Sequence, residues 1–175
     1  FQYIEVAKLS DHAATDAIVK PATELGVQYE EEAVEEIKEW SKGYPFFIQE
    51  LCNTIWEETG SEIIKKSDVE RVIPVFLDKL DKGFFKIRYD RCTKKEHDFL
   101  FAMVRCGSLP CTISNVAKIL GKRVSSISPT RAQLISKGII YSTGHGEIDF
   151  TVPQFDRYLK RINPDLIIES IEADE

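Results

Sequence analysis

One change of pattern constrains the fold of this chain more than any other feature. Apolar residues recur at helical spacing in most of the chain, and they alternate like strand residues within residues 139–152. A short stretch from Gln2 to Val6 also looks extended. Gly144 and Gly146 lie between the two alternating stretches and supply turn chemistry. Because a two-residue period cannot form the apolar face of a helix, this region predicts a β-hairpin. The sequence therefore predicts a mainly α fold with a small two-stranded β wing.

The first half of the chain predicts a small helical bundle. Residues 30–42 carry one apolar stripe at helical spacing, formed by Ala33, Val34, Ile37 and Trp40. Gly43 ends this helix, and Pro45 has the backbone angle suited to the first turn of the next one. The capping-box pattern from Ser67 to Glu70 predicts a further helix from about Asp68.

The second half predicts a different arrangement. Thr93 begins a capping box in front of a strongly apolar helix, and Thr112 caps a second helix that Gly121 ends. After a short turn, "KRVSS", a third helix begins at Ser126 or Ser128, and the hairpin follows it. The last helix, "QFDRYLKRI", places Phe155, Leu159 and Ile162 inward. The order helix, helix, turn, helix, hairpin, helix is that of a winged helix.

Charge is segregated along the chain. Residues 1–80 contain 8 Lys and Arg against 17 Asp and Glu, a net charge of −9. Residues 86–163 contain 14 against 6, a net charge of +8, and residues 164–175 contain five acids and no base. We therefore expect a helical bundle at 1–80, a winged helix at 81–163 and an acidic tail at 164–175. Such domains have different partners or attract each other.

Motifs for a complete active site are missing from the sequence. It has no G-x-x-x-x-G-K-[ST] phosphate-binding loop, no G-x-S-x-G and no H-E-x-x-H, and its three histidines fall in different predicted elements. No catalytic residue is predicted. The cysteines form neither a disulfide framework nor a C-x-x-C pair, so no metal site is predicted. A zinc site at Cys106 and Cys111, with Cys92 and His97 nearby in sequence, is the minor alternative.

Two further expectations follow from composition. No apolar run approaches the roughly 20 residues that a membrane-spanning helix needs, so no membrane partner is expected. Reduced cysteines suit a cytoplasmic protein. Since the chain begins without Met, we interpret it as a fragment.

Polar and basic residues cluster around the third helix of the predicted winged helix. In this architecture that helix enters the major groove of double-stranded DNA, while flanking basic residues and the wing meet phosphates. The candidate DNA-binding residues are Lys122, Arg123, Ser128, Thr130, Arg131, Gln133, Lys137 and His145. Two other interpretations remain open: a solvated helix face without a ligand, and a surface that docks onto protein.

Three stretches carry a resemblance to a known family: "SKGYPFFIQELCNTIWE", "SISPTRAQLISKGIIY" and "GEIDFTVPQFDRYLKR". With the order of elements, they resemble the C-terminal lid and winged helix of AAA+/STAND-type P-loop ATPases. The resemblance implies that Gly43, Tyr44 and Pro45 contact ATP held mainly by a P-loop domain outside this chain. Mg²⁺ would come only with that domain, and the ATPase core is the implied partner.

The sequence departs from the pattern of replication-origin initiators, which are more distant relatives. No lid arginine stands in an obvious sensor position, and Arg71 is the only arginine before residue 88. This departure puts in doubt any direct part in hydrolysis, so we leave open whether the chain belongs to an enzyme.

Three hypotheses follow for the function. In the first, a nucleotide-sensing lid passes its movement to a DNA-binding winged helix. In the second, the winged helix is a protein-interaction or autoinhibitory module of a signalling ATPase that binds no DNA. In the third, the chain is a free-standing transcriptional regulator with an acidic sensor domain.

Overall fold

The computed structural model describes residues 8–144 and 146–165 of the 175-residue chain. The described residues form a mainly α fold with a small β-sheet, as predicted. The chain divides into two compact units, Phe1–Leu80 and Asp81–Glu175. The predicted wing residue His145 lies outside the described residues, as does most of the acidic tail.

The described part of the first unit is a helical bundle. Its helices are α1 (Asp11–Glu24), α2 (Glu31–Ser41), α3 (Pro45–Glu58) and α4 (Lys66–Leu80). Two short strands, β1 (Gln28–Tyr29) and β2 (Ile63–Ile64), pair in parallel, which the sequence analysis did not predict. The buried side chains of α2, α3 and α4 form the core, and they include Ala33, Ile37, Phe47, Leu51, Ile55, Val69 and Phe76.

The start of α4 differs from the expectation. The helix begins at Lys66 and not at Asp68, so Ser67 is not its cap. The Asp68 carboxylate instead accepts a hydrogen bond of 3.0 Å from the backbone N–H of Lys65. An acidic side chain that reaches back to the residue before a helix satisfies an otherwise unpaired N–H group, which explains the earlier start.

The second unit contains five helices among its described residues: α5 (Lys86–Asp90), α6 (Lys94–Arg105), α7 (Ile113–Ile119), α8 (Val124–Ser136) and α9 (Phe155–Ile162). A π-helical turn, Asp81–Phe85, precedes α5. Helix α6 is central, since it packs on α7, α8 and α9 and buries Phe99, Leu100, Ala102, Met103 and Val104. The predicted capping box of Thr93 with Glu96 is present at its start.

The β wing has one strand more than predicted. The strands are β3 (Cys111–Thr112), β4 (Ile140–Gly144) and β5 (Glu147–Phe150), and they are antiparallel in the order β3-β5-β4. The β4–β5 hairpin is the predicted one. Strand β3 was missed because two residues are too few to show a strand period.

The inward face of α9 differs from the prediction at one position. Phe155 and Leu159 are buried as expected, but Ile162 is 42% exposed. Tyr158 is buried instead, and its ring stacks on that of Phe85 with centroids 5.4 Å apart. Helix α9 ends at Ile162, so this side chain belongs to its last turn.

Candidate functional site

The turn between α7 and α8 is short and has a defined geometry. Gly121 has a positive φ of 62°, and its N–H donates to the carbonyl of Lys118 over 3.0 Å. The N–H of Lys122 donates to the carbonyl of Ala117 over 2.9 Å. This pair of bonds is a Schellman motif, in which glycine takes the left-handed position at low cost. It ends α7 and leads at once into α8.

Helix α8 begins earlier than predicted. It starts at Val124 with Arg123 as the residue before it, and no side chain caps it. Neither Ser126 nor Ser128 is its cap. Their hydroxyls donate to the backbone carbonyls of Arg123 at 2.7 Å and Val124 at 2.8 Å. The prediction failed because serine can bond either to an N–H group ahead of it or to a carbonyl behind it.

Most of the α8 surface is exposed. Among its residues only Ile127 and Leu134 are fully buried. Several small or polar side chains are exposed: Ser125, Ser126, Ser128, Ala132, Gln133 and Ser136. Thr130 is half-buried. A helix with two buried anchors and a broad polar face presents a surface that a nucleic-acid groove can accept.

Arg131 connects α8 to the hairpin. One of its terminal nitrogens, Nη2, donates to the hydroxyl of Ser142 in β4 over 3.3 Å. The Ser142 oxygen in turn lies 3.1 Å from the carbonyl of Gly144 and 3.2 Å from that of Glu147, where the β4–β5 register shifts. The Nε atom of Arg131 is buried and has no partner among the described residues. Arg131 is therefore only partly available to a ligand.

Lys137 is engaged within its own unit. Its ammonium donates to the Glu96 carboxylate over 2.7 Å and to the carbonyl of Arg91 over 2.9 Å. The Glu96 side chain is 1% exposed, whereas that of Lys137 is 30% exposed. This ion pair joins the end of α8 to the start of α6. In the sequence, Glu96 is recognisable only as part of a capping box, and no pattern links it to Lys137.

The pKa of Glu96 reflects this environment. Burial by itself would raise the pKa of the carboxyl group. The hydrogen bonds from Lys137 and Thr93 outweigh burial and hold the pKa below its ordinary value. Glu96 is therefore a charged group inside the unit, and Lys137 is the cation that compensates it.

Cations dominate the surface around α7 and α8. No Asp or Glu occurs in the sequence between Asp98 and Glu147. Lys118, Lys122 and Arg123 are exposed, and within the described residues none of the three forms an ion pair. Lys122 and Arg123 directly precede the uncapped first turn of α8, whose free N–H groups also favour anions.

The second predicted site is the turn between α2 and α3. Lys42 and Gly43 both have positive φ angles, 53° and 73°. The Gly43 N–H donates a hydrogen bond to the hydroxyl oxygen of the buried Ser41 over 3.3 Å. The Gly43 carbonyl accepts a hydrogen bond from the N–H of Leu9 over 2.9 Å. Pro45 is the first residue of α3, as predicted.

A side chain at Gly43 would collide with the chain itself. A Cβ atom there would lie 3.0 Å from Cγ of Lys8 and 3.4 Å from the carbonyl oxygen of Leu9. Gly43 is buried, whereas Tyr44 and Pro45 are half-buried and Phe46 is 44% exposed. The absence of a side chain at Gly43 thus makes room for residues 8 and 9 of the same chain. Of the three predicted nucleotide-binding residues, Tyr44 and Pro45 are therefore partly accessible, whereas Gly43 is enclosed by the chain itself.

Two negative findings apply to the described residues. Within residues 8–144 and 146–165, no cluster of three or more His, Cys, Asp or Glu side chains is arranged to hold a metal ion. Among the helices of the same residues, none has the length and apolar character needed to cross a membrane.

Comparisons with known proteins give a limited result. Residues 82–159 match a family model described as a domain of unknown function, DUF8462. No curated protein matches the chain. Among solved structures, the chain is similar to the RuvB Holliday junction branch migration motor of Thermotoga maritima, with 18% identity and a TM-score of 0.42 over 87% of this chain and 49% of that one.

The structure of a variant of the same Thermotoga maritima protein is similar to this chain to nearly the same degree. The identity is 18% and the TM-score is 0.43, over 88% of this chain and 50% of the solved chain. The chain thus spans about half the length of these solved structures. A TM-score below 0.5 gives no information about function.

Proposed function

We propose that the second unit binds double-stranded DNA through α8 and the residues that flank it. The observation that carries this proposal is the exposed, uncapped start of α8 next to Lys122 and Arg123, in a stretch of sequence without acids. Phosphates would meet Lys122, Arg123 and the first N–H groups of α8. The exposed side chains of Ser128 and Gln133 would face base edges, with Thr130 beside them.

The remaining predicted DNA-binding residues have different parts in this proposal. Arg131 and Lys137 set the orientation of α8, because one bonds the hairpin and the other bonds Glu96. His145 stays a predicted wing contact. The proposal thus separates residues that touch DNA from residues that position the helix.

A salt titration tests the proposal. The 175-residue chain would be titrated against a labelled duplex of random sequence between about 50 mM and about 200 mM salt. Each phosphate contact contributes about −0.9 to the slope of log affinity against log salt. For the double variant Lys122→Ala/Arg123→Ala we expect the slope to fall by about 1.8 and the affinity at low salt to fall about tenfold or more.

A charge-matched control keeps this test specific. The double variant Lys20→Ala/Lys65→Ala removes the same charge from the first unit, and we expect it to bind DNA within about twofold of the unchanged chain. Equal losses in the two double variants would show that binding reflects only net charge. No binding at about 50 mM salt would overturn the proposal and favour the protein-interaction alternative.

We further propose that the chain is the lid and winged helix of an AAA+/STAND-type ATPase, in which Tyr44 and Pro45 contact ATP. The sequence resemblance supports this proposal, and the partial exposure of Tyr44 and Pro45 is compatible with it. ATP would be held mainly by a P-loop domain, and this chain would supply a flat aromatic and apolar surface beside the base. A lid that contacts nucleotide in only one position would bias the movement of the attached domain.

The coding sequence upstream of Phe1 provides the first check. A G-x-x-x-x-G-K-[ST] motif between a strand and a helix would support the ATPase proposal, and its absence would favour the free-standing regulator. In the longer protein, Tyr44→Ala should weaken ATP binding by about tenfold. The control is Tyr141→Ala in β4, at a tyrosine that is 41% exposed. Unchanged ATP affinity would contradict the contact at Tyr44 and leave the DNA proposal intact.

A further inference from the structure

A second group of cations lies at the far end of α8. Arg91 follows the last residue of α5, and Lys94 and Lys95 are the first two residues of α6. All three side chains are exposed, and none of them forms an ion pair within residues 8–144 and 146–165. We call these three residues the α6 basic surface. Their charges are available to an anionic partner.

Lys137 holds this surface next to α8. It is the residue that ends α8, and its ammonium donates to the carbonyl of Arg91 over 2.9 Å and to the Glu96 carboxylate over 2.7 Å. Glu96 is the third residue of α6. These two bonds therefore fix both the segment before α6 and its first turn against the end of α8.

The α6 basic surface keeps a net positive charge. Three acids occur within five residues of it in the sequence, namely Asp90, Glu96 and Asp98. Asp90 forms an ion pair of 2.5 Å with Lys86, and the buried Glu96 is compensated by Lys137. Asp98 is exposed and forms no ion pair with any described residue. Three free cations thus stand against one free acid.

The two cationic groups are spaced like the two sides of a DNA groove. Lys122 and Arg123 directly precede α8, and the α6 basic surface lies at its other end. The 13 residues of α8 rise about 1.5 Å each, so its ends lie about 20 Å apart. The major groove is about 12 Å wide, with a phosphate backbone on either side. A helix lying in that groove would bring one cationic group to each backbone.

We propose that the α6 basic surface binds the phosphate backbone of double-stranded DNA on the side of the major groove opposite to Lys122 and Arg123. This inference rests on the proposed binding of DNA through α8 and adds a second row of phosphate contacts. In it, Lys137 both compensates Glu96 and carries the second row. Contacts at both ends keep α8 from pivoting about its first turn.

A triple variant tests the second row. Arg91→Ala/Lys94→Ala/Lys95→Ala would be made in the 175-residue chain and titrated against a labelled duplex of random sequence between about 50 mM and about 200 mM salt. At about −0.9 per phosphate contact, we expect the slope of log affinity against log salt to fall by about 2.7. The affinity at low salt should fall about tenfold or more. Alanine suits the first turn of a helix, and urea unfolding checks that the fold is kept.

Two control variants keep this test specific. Lys20→Ala/Lys65→Ala/Lys66→Ala removes the same charge from the first unit, and we expect it to bind DNA within about twofold of the unchanged chain. Asp98→Asn removes the free acid beside the α6 basic surface, so it should strengthen binding about twofold. Equal losses in the two triple variants would show an effect of net charge alone and would overturn the second row.

The outcomes distinguish this inference from the proposed function. If the α6 triple variant kept the slope of the unchanged chain while Lys122→Ala/Arg123→Ala lowered it, only the second row would be overturned. No binding by the unchanged chain at about 50 mM salt would overturn both. Equal slopes on a double-stranded RNA of the same length would contradict a contact across the major groove, because that groove is too narrow in RNA to admit a helix.

Chemical labelling gives an independent readout. The chain would be acetylated with an N-hydroxysuccinimide ester, with and without a saturating amount of the duplex, and its peptides analysed by mass spectrometry. We expect DNA to slow the acetylation of Lys94 and Lys95 about threefold or more, because a lysine that contacts phosphate is shielded from the reagent. Lys65, in the first unit, should react at an unchanged rate. Unchanged rates at Lys94 and Lys95 would refute the contact.

Discussion

Helices α3 and α8 each follow a turn with a positive-φ glycine, but different forces hold them in place. Helix α3 buries Phe47, Ile48, Leu51, Thr54 and Ile55, so apolar packing covers a broad face of it. Helix α8 fully buries only Ile127 and Leu134, and polar side chains attach it to neighbouring elements. Arg131 bonds Ser142 in the hairpin, and Lys137 bonds Glu96 in α6.

This difference explains why one helix belongs to a core and the other can serve as a binding surface. A helix buried on a broad face has little surface left for a ligand. A helix held by two apolar anchors and two polar side chains keeps most of its circumference free. In the proposed function, the residues that fix its orientation are thus distinct from those that would touch DNA.

The largest expected effect is a loss of stability on substitution of a buried residue in α3. Leu51→Ala removes a fully buried side chain from α3, and we expect the free energy of unfolding of the first unit to fall by about 3 kcal/mol. Urea unfolding followed by tryptophan fluorescence measures this, because Trp40 and Trp56 both lie in the first unit. Leu25→Ala, at a residue 69% exposed, should change it by less than about 0.5 kcal/mol. Similar values for the two variants would refute apolar burial as the main support of α3.

The next effect should be at the polar attachment of α8. Lys137→Met leaves the buried Glu96 carboxylate without its cation, and we expect the second unit to lose about 2–3 kcal/mol. This is less than for a fully buried pair because the Lys137 side chain is 30% exposed. Hydrogen exchange of peptides from α6 and α8 in increasing urea measures the loss.

An exposed lysine on a neighbouring helix is the matched control for that variant. Lys118→Met makes the same substitution in α7, and we expect it to change the stability of the second unit by less than about 0.5 kcal/mol. Replacing Glu96 by Gln in the Lys137→Met background should recover part of the loss, because no buried charge remains. If the two lysine variants lost the same amount of stability, the ion pair would not be what holds the end of α8.

The smallest effect is a pH dependence limited to the second unit. The pKa of Glu96 in the folded unit lies below its ordinary value of 4.5, so its charge stabilises the fold above that pH. The contribution is lost as the pH falls through the lowered pKa. Between pH 7 and about pH 3, exchange protection in α6 and α8 should therefore fall more in the unchanged chain than in Glu96→Gln. An equal fall of exchange protection in the unchanged chain and in Glu96→Gln would exclude Glu96 as the cause.

Local interactions explain which parts of the structure were predictable. The capping box at Thr93, the cap at Thr112 and the helix start at Pro45 all agree with the sequence analysis. Each depends on residues no more than four positions apart, whose geometry the helix itself sets. The β4–β5 hairpin was predictable for the same reason, since its strands are joined by a short glycine-containing turn.

The failures occurred where local alternatives had similar energies. Ser67, Ser126 and Ser128 each fit a cap in the sequence, yet α4 and α8 begin earlier. A serine hydroxyl can bond an N–H group or a carbonyl, and packing of the whole unit decides between them. Strand β3 depends on its partner Ile148, far away in the sequence, so its own two residues carry no signal.

By itself, the sequence determined the helical character of the chain, the single hairpin and the excess of positive charge in the second half. These properties follow from spacing and composition. Only the tertiary structure decided that Lys137 meets Glu96 and that Arg131 meets Ser142. Such contacts require separate elements to be packed at a fixed distance, and the burial that results sets both the availability of a side chain and its pKa.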